Sequence, residues 1–262
     1  MREQVVVITG ASGGIGAALA RRGGARGGKP VLAARREAEL AAVAVQCGPE
    51  ALSVIADVTG RADVQRVLDQ ALARFGRVDV WVNNAGRGIT RPVSALGDED
   101  FDEMMRVNVK SALYGMQVAL PHFQKRGRGH IINISSMLGR VPFFHPRSAY
   151  CAAKHALNAL TACLRIELRA SHPGIMVSTV SPGVVATEFG VHALGGGADS
   201  RGLPNAQSPD EVAEVIAWVI DNPVADAYTQ PGMRETVVRY FGAEDMAVAE
   251  SALPGTPAPR RS

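Results

Sequence analysis

Between residues 5 and 20 the chain leaves itself few choices of local structure. The apolar run Val5–Thr9 passes without a spacer into Thr9-Gly10-Ala11-Ser12-Gly13-Gly14-Ile15-Gly16, and the alanine-rich residues 17–20 follow at once. A strand that turns this abruptly into a helix needs glycine, because the backbone must reverse tightly and approach its neighbours closely. The amides and dipole at the head of that helix present positive charge, which suits a pyrophosphate. Gly10, Ser12, Gly13, Gly14, Ile15 and Gly16 are therefore candidate binding residues for a phosphate-bearing ligand. A glycine-rich connection that binds nothing has the same spacing; the strand before it and the helix after it weigh against that alternative.

The pairing of a short apolar run with a longer amphipathic stretch recurs along the chain. Strands are predicted at residues 5–9, 31–34, 52–56, 80–83, 130–134 and 175–180, each rich in Val and Ile as strands covered on both faces are. Between them lie helical periods such as residues 62–75, where Val64, Val67, Leu68, Ala71, Leu72 and Phe75 share a stripe and Gly76 is the stop. This alternation predicts an α/β fold: a doubly wound parallel sheet with helices on both faces. A single domain over residues 1–252 is expected, with a disordered Pro-rich tail at 253–262. Ser208, Pro209 and Glu211 mark a helix start ahead of Val212, Val215, Ile216 and Val219. Residues 191–207, containing Gly195-Gly196-Gly197, read as a mobile loop. Gly23-Gly24 and Gly27-Gly28 predict that the first helix frays or ends early, since an interior glycine costs about 1 kcal/mol.

Composition excludes several function classes. With 28 basic against 25 acidic residues the net charge is +3, too balanced for a nucleic-acid partner. No apolar run approaches the ~18 residues that span a bilayer, and the N-terminal stretch lacks a secretory cleavage pattern. The 3 cysteines (Cys47, Cys151, Cys163) form no CxxC pair and the 6 histidines show no ligand spacing, so neither a disulfide framework nor a metal site is indicated. A reduced, cytoplasmic protein without membrane or nucleic-acid partners is the expectation.

Further motifs follow in a fixed order: Asp57-Val58, Asn83-Asn84-Ala85-Gly86, Asn108, Ser136, Tyr150-x-x-x-Lys154 and Pro182-Gly183-x-x-x-Thr187. With the TGxxxGxG spacing of the first turn, they make the chain resemble the short-chain dehydrogenase/reductase family in its compact single-domain form. The resemblance covers most of the chain and implies a Rossmann-type site for a nicotinamide dinucleotide. It implies Asp57 and Val58 at the adenine, Asn84, Ala85 and Gly86 beside the ribose, and Val185 and Thr187 at the carboxamide. It also implies hydride transfer between nicotinamide and a carbonyl or carbinol carbon. Tyr150 would pass the proton, Ser136 hydrogen-bond the oxygen, Asn108 hold a water linking Lys154 to solvent, and Lys154 contact the nicotinamide ribose. The stretch from Ser136 to Tyr150 is one residue longer than the family pattern, which keeps Ser135 open as an alternative to Ser136. The absence of a glycine-rich segment near the C-terminus argues against an acyl-carrier ketoacyl substrate.

The residues themselves supply reasons for parts of this. Tyr150 and Lys154 stand one helical turn apart on one face. A cation ~4 Å from the phenol contributes about 4 kcal/mol at an effective dielectric of 20, enough to lower the tyrosine pKa by about three units. The second strand ends in Ala33-Ala34-Arg35-Arg36 with no carboxylate to accept the ribose hydroxyls, so Arg35 and Arg36 favour NADP(H) over NAD(H). A solvated helix start is the alternative for that pair. Ser136, Phe144, Tyr150 and Phe189 are candidate substrate residues for a hydrophobic small molecule. The helix carrying Tyr150 is apolar on a second face (Ala152, Ala156, Ala159, Cys163, Ile166, Ala170). The resemblance implies that another subunit covers it, in a homodimer or homotetramer; cover by a helix of the same chain is the alternative. The reading is an NADP(H)-preferring oxidoreductase of a ketone, aldehyde or secondary alcohol. Its rivals are an NAD-dependent alcohol dehydrogenase of the same fold and a non-catalytic dinucleotide-binding regulator.

Overall fold

Apolar residues alternate along each strand, and each alternate set meets its own layer of helices. The strands are β1 (Val5–Thr9), β2 (Lys29–Ala34), β3 (Leu52–Ile55), β4 (Val80–Asn83), β5 (Gly129–Ile134), β6 (Ile175–Ser181) and β7 (Asp226–Tyr228). In this computed structural model, which describes residues 1–251 and 253, they form one parallel sheet in the order β3-β2-β1-β4-β5-β6-β7. Apart from Leu253, the expected tail lies outside the described residues. Ile8, Leu32, Val82 and Ile132 pack with Leu19 of α1 (Gly14–Ala25), Leu40 of α2 (Glu37–Cys47) and Ile216 of α7 (Pro209–Asp221). Val7, Val31, Trp81 and Ile131 face the other way, onto α3 (Arg61–Phe75), α5 (Ser111–Arg126) and α6 (Ser148–Ser171). Between β4 and α5 lie α4 (Asp98–Met105) and a π-helical turn, Arg106–Lys110; α8 (Met233–Phe241) and α9 (Met246–Ser251) follow β7. No helix among the described residues is long and apolar enough to cross a membrane.

The sheet is doubly wound, as the alternation predicts. Three details differ from the sequence reading. The three-residue strand β7, Asp-Ala-Tyr, has no apolar run to announce it and is fixed by pairing with Thr179, Val180 and Ser181. The first helix does not stop early: α1 runs to Ala25 through Gly23 and Gly24. A Cβ at Gly24 would collide with the Cys47 carbonyl at the end of α2, so glycine there allows close helix packing. The 191–207 loop is tied down rather than free. Leu194 pairs with the segment after β4 (Thr90 N to Leu194 O, 2.8 Å; Leu194 N to Gly88 O, 3.0 Å), and Gln207 pairs with Val184 and Ala186. Elsewhere the local signals hold: α3 ends at left-handed Gly76, and Ser208 and Glu211 form a reciprocal capping box on α7.

Candidate active site

Strand order reverses between β1 and β4, and in open parallel sheets the crevice at such a point receives ligands. The glycine turn follows β1, Arg35 and Arg36 follow β2, Asp57 and Val58 follow β3, and Asn84–Gly86 follow β4. Ser135 and Ser136 follow β5, and residues 182–187 follow β6, so all these segments share the carboxyl edge of the sheet.

The glycine turn is a cradle that side chains would fill. Gly10 (φ +67°) and Gly14 (φ +53°) are left-handed, a conformation that strongly favours glycine. A Cβ at Gly16 would lie 2.5 Å from the Gly10 carbonyl oxygen and 2.6 Å from Asn84 Nδ2; one at Gly14 would lie 3.2 Å from Thr187 Cγ2. No side chain caps the amides at the start of α1, which suits an anionic group there. Thr9 Oγ1 accepts hydrogen bonds from the Asn84 and Ala85 amides (3.0 and 3.1 Å), and Asn84 Nδ2 donates to Thr9 O (2.9 Å), locking the ends of β1 and β4 together. Ile15 packs against the core beneath the turn, and Val185 joins the same cluster.

The two arginines diverge. Arg36 donates through Nε and Nη2 to Ser12 Oγ (3.2 and 3.1 Å), lying across the turn, and pairs with Glu39 at 3.3 Å. Arg35 is exposed, and its charge acts on Asp57. Burial raises the Asp57 carboxyl pKa, but bonds from the Thr59 hydroxyl and amide (2.8 and 3.0 Å), with the Arg35 and Arg106 charges, outweigh it and hold the group below its usual range. Val58 is buried beside it.

Tyr150 and Lys154 are both buried at the start of α6. Lys154 Nζ donates to Ile134 O at 2.8 Å and sits 5.7 Å from the centre of the Tyr150 ring. Burial pushes Lys154 down to about 8 and Tyr150 up to about 12; hydrogen bonding by Ser136 and the Arg147 charge only partly oppose the tyrosine's rise. The lowering of Tyr150 by Lys154 anticipated from spacing is therefore reversed here, because the lysine points to a backbone carbonyl while burial strips the phenolate of hydration. Ser136 also accepts from Leu138 N (3.1 Å); the Ser135 hydroxyl is buried without a partner and lies against Gly139. Asn108 sits in the π-turn with Nδ2 donating to Arg87 O (2.9 Å) and Met104 O (3.1 Å), while Oδ1 accepts from Arg87 N (3.1 Å). A Cβ at Gly86 would be 2.9 Å from Asn108 Oδ1 and 3.6 Å from Lys154 Nζ, so both groups border that glycine.

Phe189 packs edge-on to Tyr150, with ring centres 5.5 Å apart, whereas Phe144 is 46% exposed. Sequence reasoning missed Arg147, whose guanidinium stands 5.8 Å from the Phe189 ring centre, and Thr90, whose hydroxyl is buried without a partner. A signal for Arg147 was present: a cation at a helix start opposes the dipole and needs another reason to be there.

The family model for short chain dehydrogenases matches residues 4–193. The chain belongs to the short-chain dehydrogenase family. It is 37% identical over 187 residues to an uncharacterized oxidoreductase of Staphylococcus epidermidis, a match covering 71% of this chain and 80% of that one. An uncharacterized oxidoreductase of Bacillus subtilis is 34% identical over 93% of this chain and 69% of its own length. Among solved structures, a short-chain dehydrogenase/reductase from Burkholderia phymatum in complex with NAD superposes with a TM-score of 0.85 at 28% identity, covering 98% of both chains. An alcohol dehydrogenase from the archaeon Thermococcus sibiricus complexed with 5-hydroxy-NADP gives 0.75 at 29% identity, over 86% of this chain and 94% of that one. This short-chain dehydrogenase is accordingly an oxidoreductase.

Proposed function

We propose that the protein is an NADP(H)-preferring oxidoreductase that interconverts a ketone or aldehyde with its alcohol. The convergence of Tyr150, Ser136, Lys154 and Asn108 beside the glycine cradle carries this reading. A bound nicotinamide cofactor supplies or accepts the hydride. The turn Gly10, Ser12, Gly13, Gly14, Ile15 and Gly16 receives its pyrophosphate, and Asp57, Val58, Asn84, Ala85, Gly86, Val185 and Thr187 take the positions the family motifs give them. Arg36, held over the turn by Ser12, receives the 2′-phosphate of NADP(H), with Arg35 at the same edge.

Burial raises Tyr150 to about 12, so it carries its proton at neutral pH and can donate it in carbonyl reduction. Its hydroxyl donates to the carbonyl oxygen while Ser136 hydrogen-bonds the same oxygen. Lys154, brought down to about 8, is charged at neutral pH and near enough to titration to return the proton, with Asn108 ordering the path beside Gly86. Phe189 excludes water from the Tyr150 ring. Following oxidation of NADPH and of NADH over a panel of ketones and aldehydes tests the reading. Faster turnover with NADPH supports it; no turnover with either overturns it.

The second apolar face of α6 supports the homodimer or homotetramer. Ala152, Ala159, Cys163 and Ile166 stay exposed, Ile166 at 72%, while Ala156 packs partly against the core, so no helix among the described residues covers most of that face.

A further inference from the structure

Beside the buried Lys154, the guanidinium of Arg147 is a second cation of the cleft without an acidic partner among the described residues. Neighbouring arginines have acidic partners: Arg87 with Glu103 at 3.6 Å, and Arg91 with Asp100. Glu188, next to Phe189, is engaged by Arg201 (3.2 Å) and His192 (3.3 Å). Among the described residues no carboxylate pairs with Arg147, and its Nη1 is buried without a hydrogen-bond partner. The residue as a whole is half-buried, and a cation partly withdrawn from water without a counter-charge bears a desolvation cost. The desolvation is visible in a lowered arginine pKa, opposed only by Tyr150 and Cys151.

The surroundings hold the group in place. Arg147 heads α6, and the flanking backbone is fixed to the segment after β4: Arg91 N donates to Pro146 O and Ser148 Oγ to Arg91 O, each at 2.7 Å. The guanidinium carbon stands over the Phe189 ring, which in turn packs on Tyr150. Gly88 makes room for Nη1, since a Cβ there would collide with it. The point a Cβ would occupy at Gly197 is 3.3 Å from both Arg147 Nη2 and Thr90 Oγ1. Arg147 Nη2 and the unpartnered Thr90 hydroxyl thus both lie against Gly197, with the Gly190 carbonyl oxygen 2.8 Å from the same point, and the Arg147 charge also reaches Tyr150.

We infer that Arg147, assisted by Thr90, is a specificity-determining residue that receives a carboxylate on the substrate, so that the enzyme acts on keto acids and their hydroxy-acid counterparts. A planar guanidinium matches a carboxylate with two parallel hydrogen bonds. Phe189 neighbours both Arg147 and Tyr150 and would cover the carbon chain linking carboxylate and carbonyl. The inference rests on the carbonyl-reductase reading above.

The test compares 2-, 3- and 4-keto carboxylates with their methyl esters, using the full-length enzyme and NADPH. Wild type should favour acid over ester by about tenfold or more in kcat/KM, as for one charge-assisted contact. Arg147→Met should erase that preference through KM on the acid, while any change in kcat from losing the Arg147 charge near Tyr150 falls equally on acid and ester; NADPH affinity should stay within about threefold, and Arg147→Lys should restore part of the preference. Thr90→Val should weaken acids in the same direction. Binding of butanoate and succinate against their amides, measured by calorimetry on the enzyme with NADP+, needs no turnover. Carboxylate binding lost in Arg147→Met, even without turnover, supports the assignment and places any failure in the reductase reading. Equal handling of acids and esters by wild type, or an equal loss on both in Arg147→Met, overturns it.

Discussion

At the scale of single residues, Tyr150 is defined by its surroundings: a phenol 7% exposed, beside Ser136 and under Phe189. Tyr150→Phe keeps the ring and its packing and removes only the hydroxyl. Turnover should fall at least about a hundredfold, the scale of general acid–base catalysis, while NADPH affinity stays within about twofold by fluorescence titration. Activity within tenfold of the parent would remove Tyr150 from the proton path. The arginine pair is equally open to test. Arg36 bonds Ser12 whereas the Arg35 charge acts on Asp57 without a bond to it, so Arg36→Ala should weaken NADPH by roughly tenfold to a hundredfold, and NADH far less. Arg35→Ala should show a smaller difference. Equal losses for both cofactors in the Arg36 variant would show that it does not read the phosphate.

At the scale of elements, propensity and packing conflict in α1, and packing wins. Alanine is the better helix former, yet Gly24→Ala drives a Cβ into the Cys47 carbonyl. The variant should lose about 1–3 kcal/mol in urea denaturation, the usual cost of overpacking. A gain in stability would mean that α2 yields easily. In β5, His130 bonds Ser178 of β6 at 2.8 Å, and burial lowers it from 6.5 to about 4. Because the fold prefers the neutral ring, this stability is fully present above pH 6.5 and is lost as pH falls towards 4. At about 1.36 kcal/mol per pH unit the loss reaches about 3 kcal/mol. His130→Gln should flatten the slope of stability between neutral pH and pH ~5; an unchanged slope assigns it to other groups.

At the scale of the whole molecule, the sheet brings six chain segments to one edge, and α6 leaves exposed the apolar face on which the proposed oligomer would assemble. Ile166 is 72% exposed in an otherwise small-residue stripe. Ile166→Glu places a charge where a partner helix would pack. Sedimentation should show wild type as a dimer or tetramer and the variant as a smaller species, with its circular dichroism unchanged. A monomeric wild type would leave that face to another partner.

The periodic elements and the glycine turn are legible from the residues alone, because both are local: side-chain period, helix caps and left-handed backbone are properties of neighbouring residues. The strand–helix alternation was legible from Val5 onward, as was the capping box at Ser208. Tertiary structure decided what depends on distant atoms. Gly24 is tolerated because of Cys47, β7 exists because β6 offers it a partner, and the 191–207 loop is held by the segment after β4. The site divides the same way. Tyr150 and Lys154 were recognisable by spacing, but their pKa values move with burial, which no spacing encodes. Arg147 became a candidate only when its surroundings showed a cation without an anion, since charge balance in a cleft is a sum over segments that only the fold brings together.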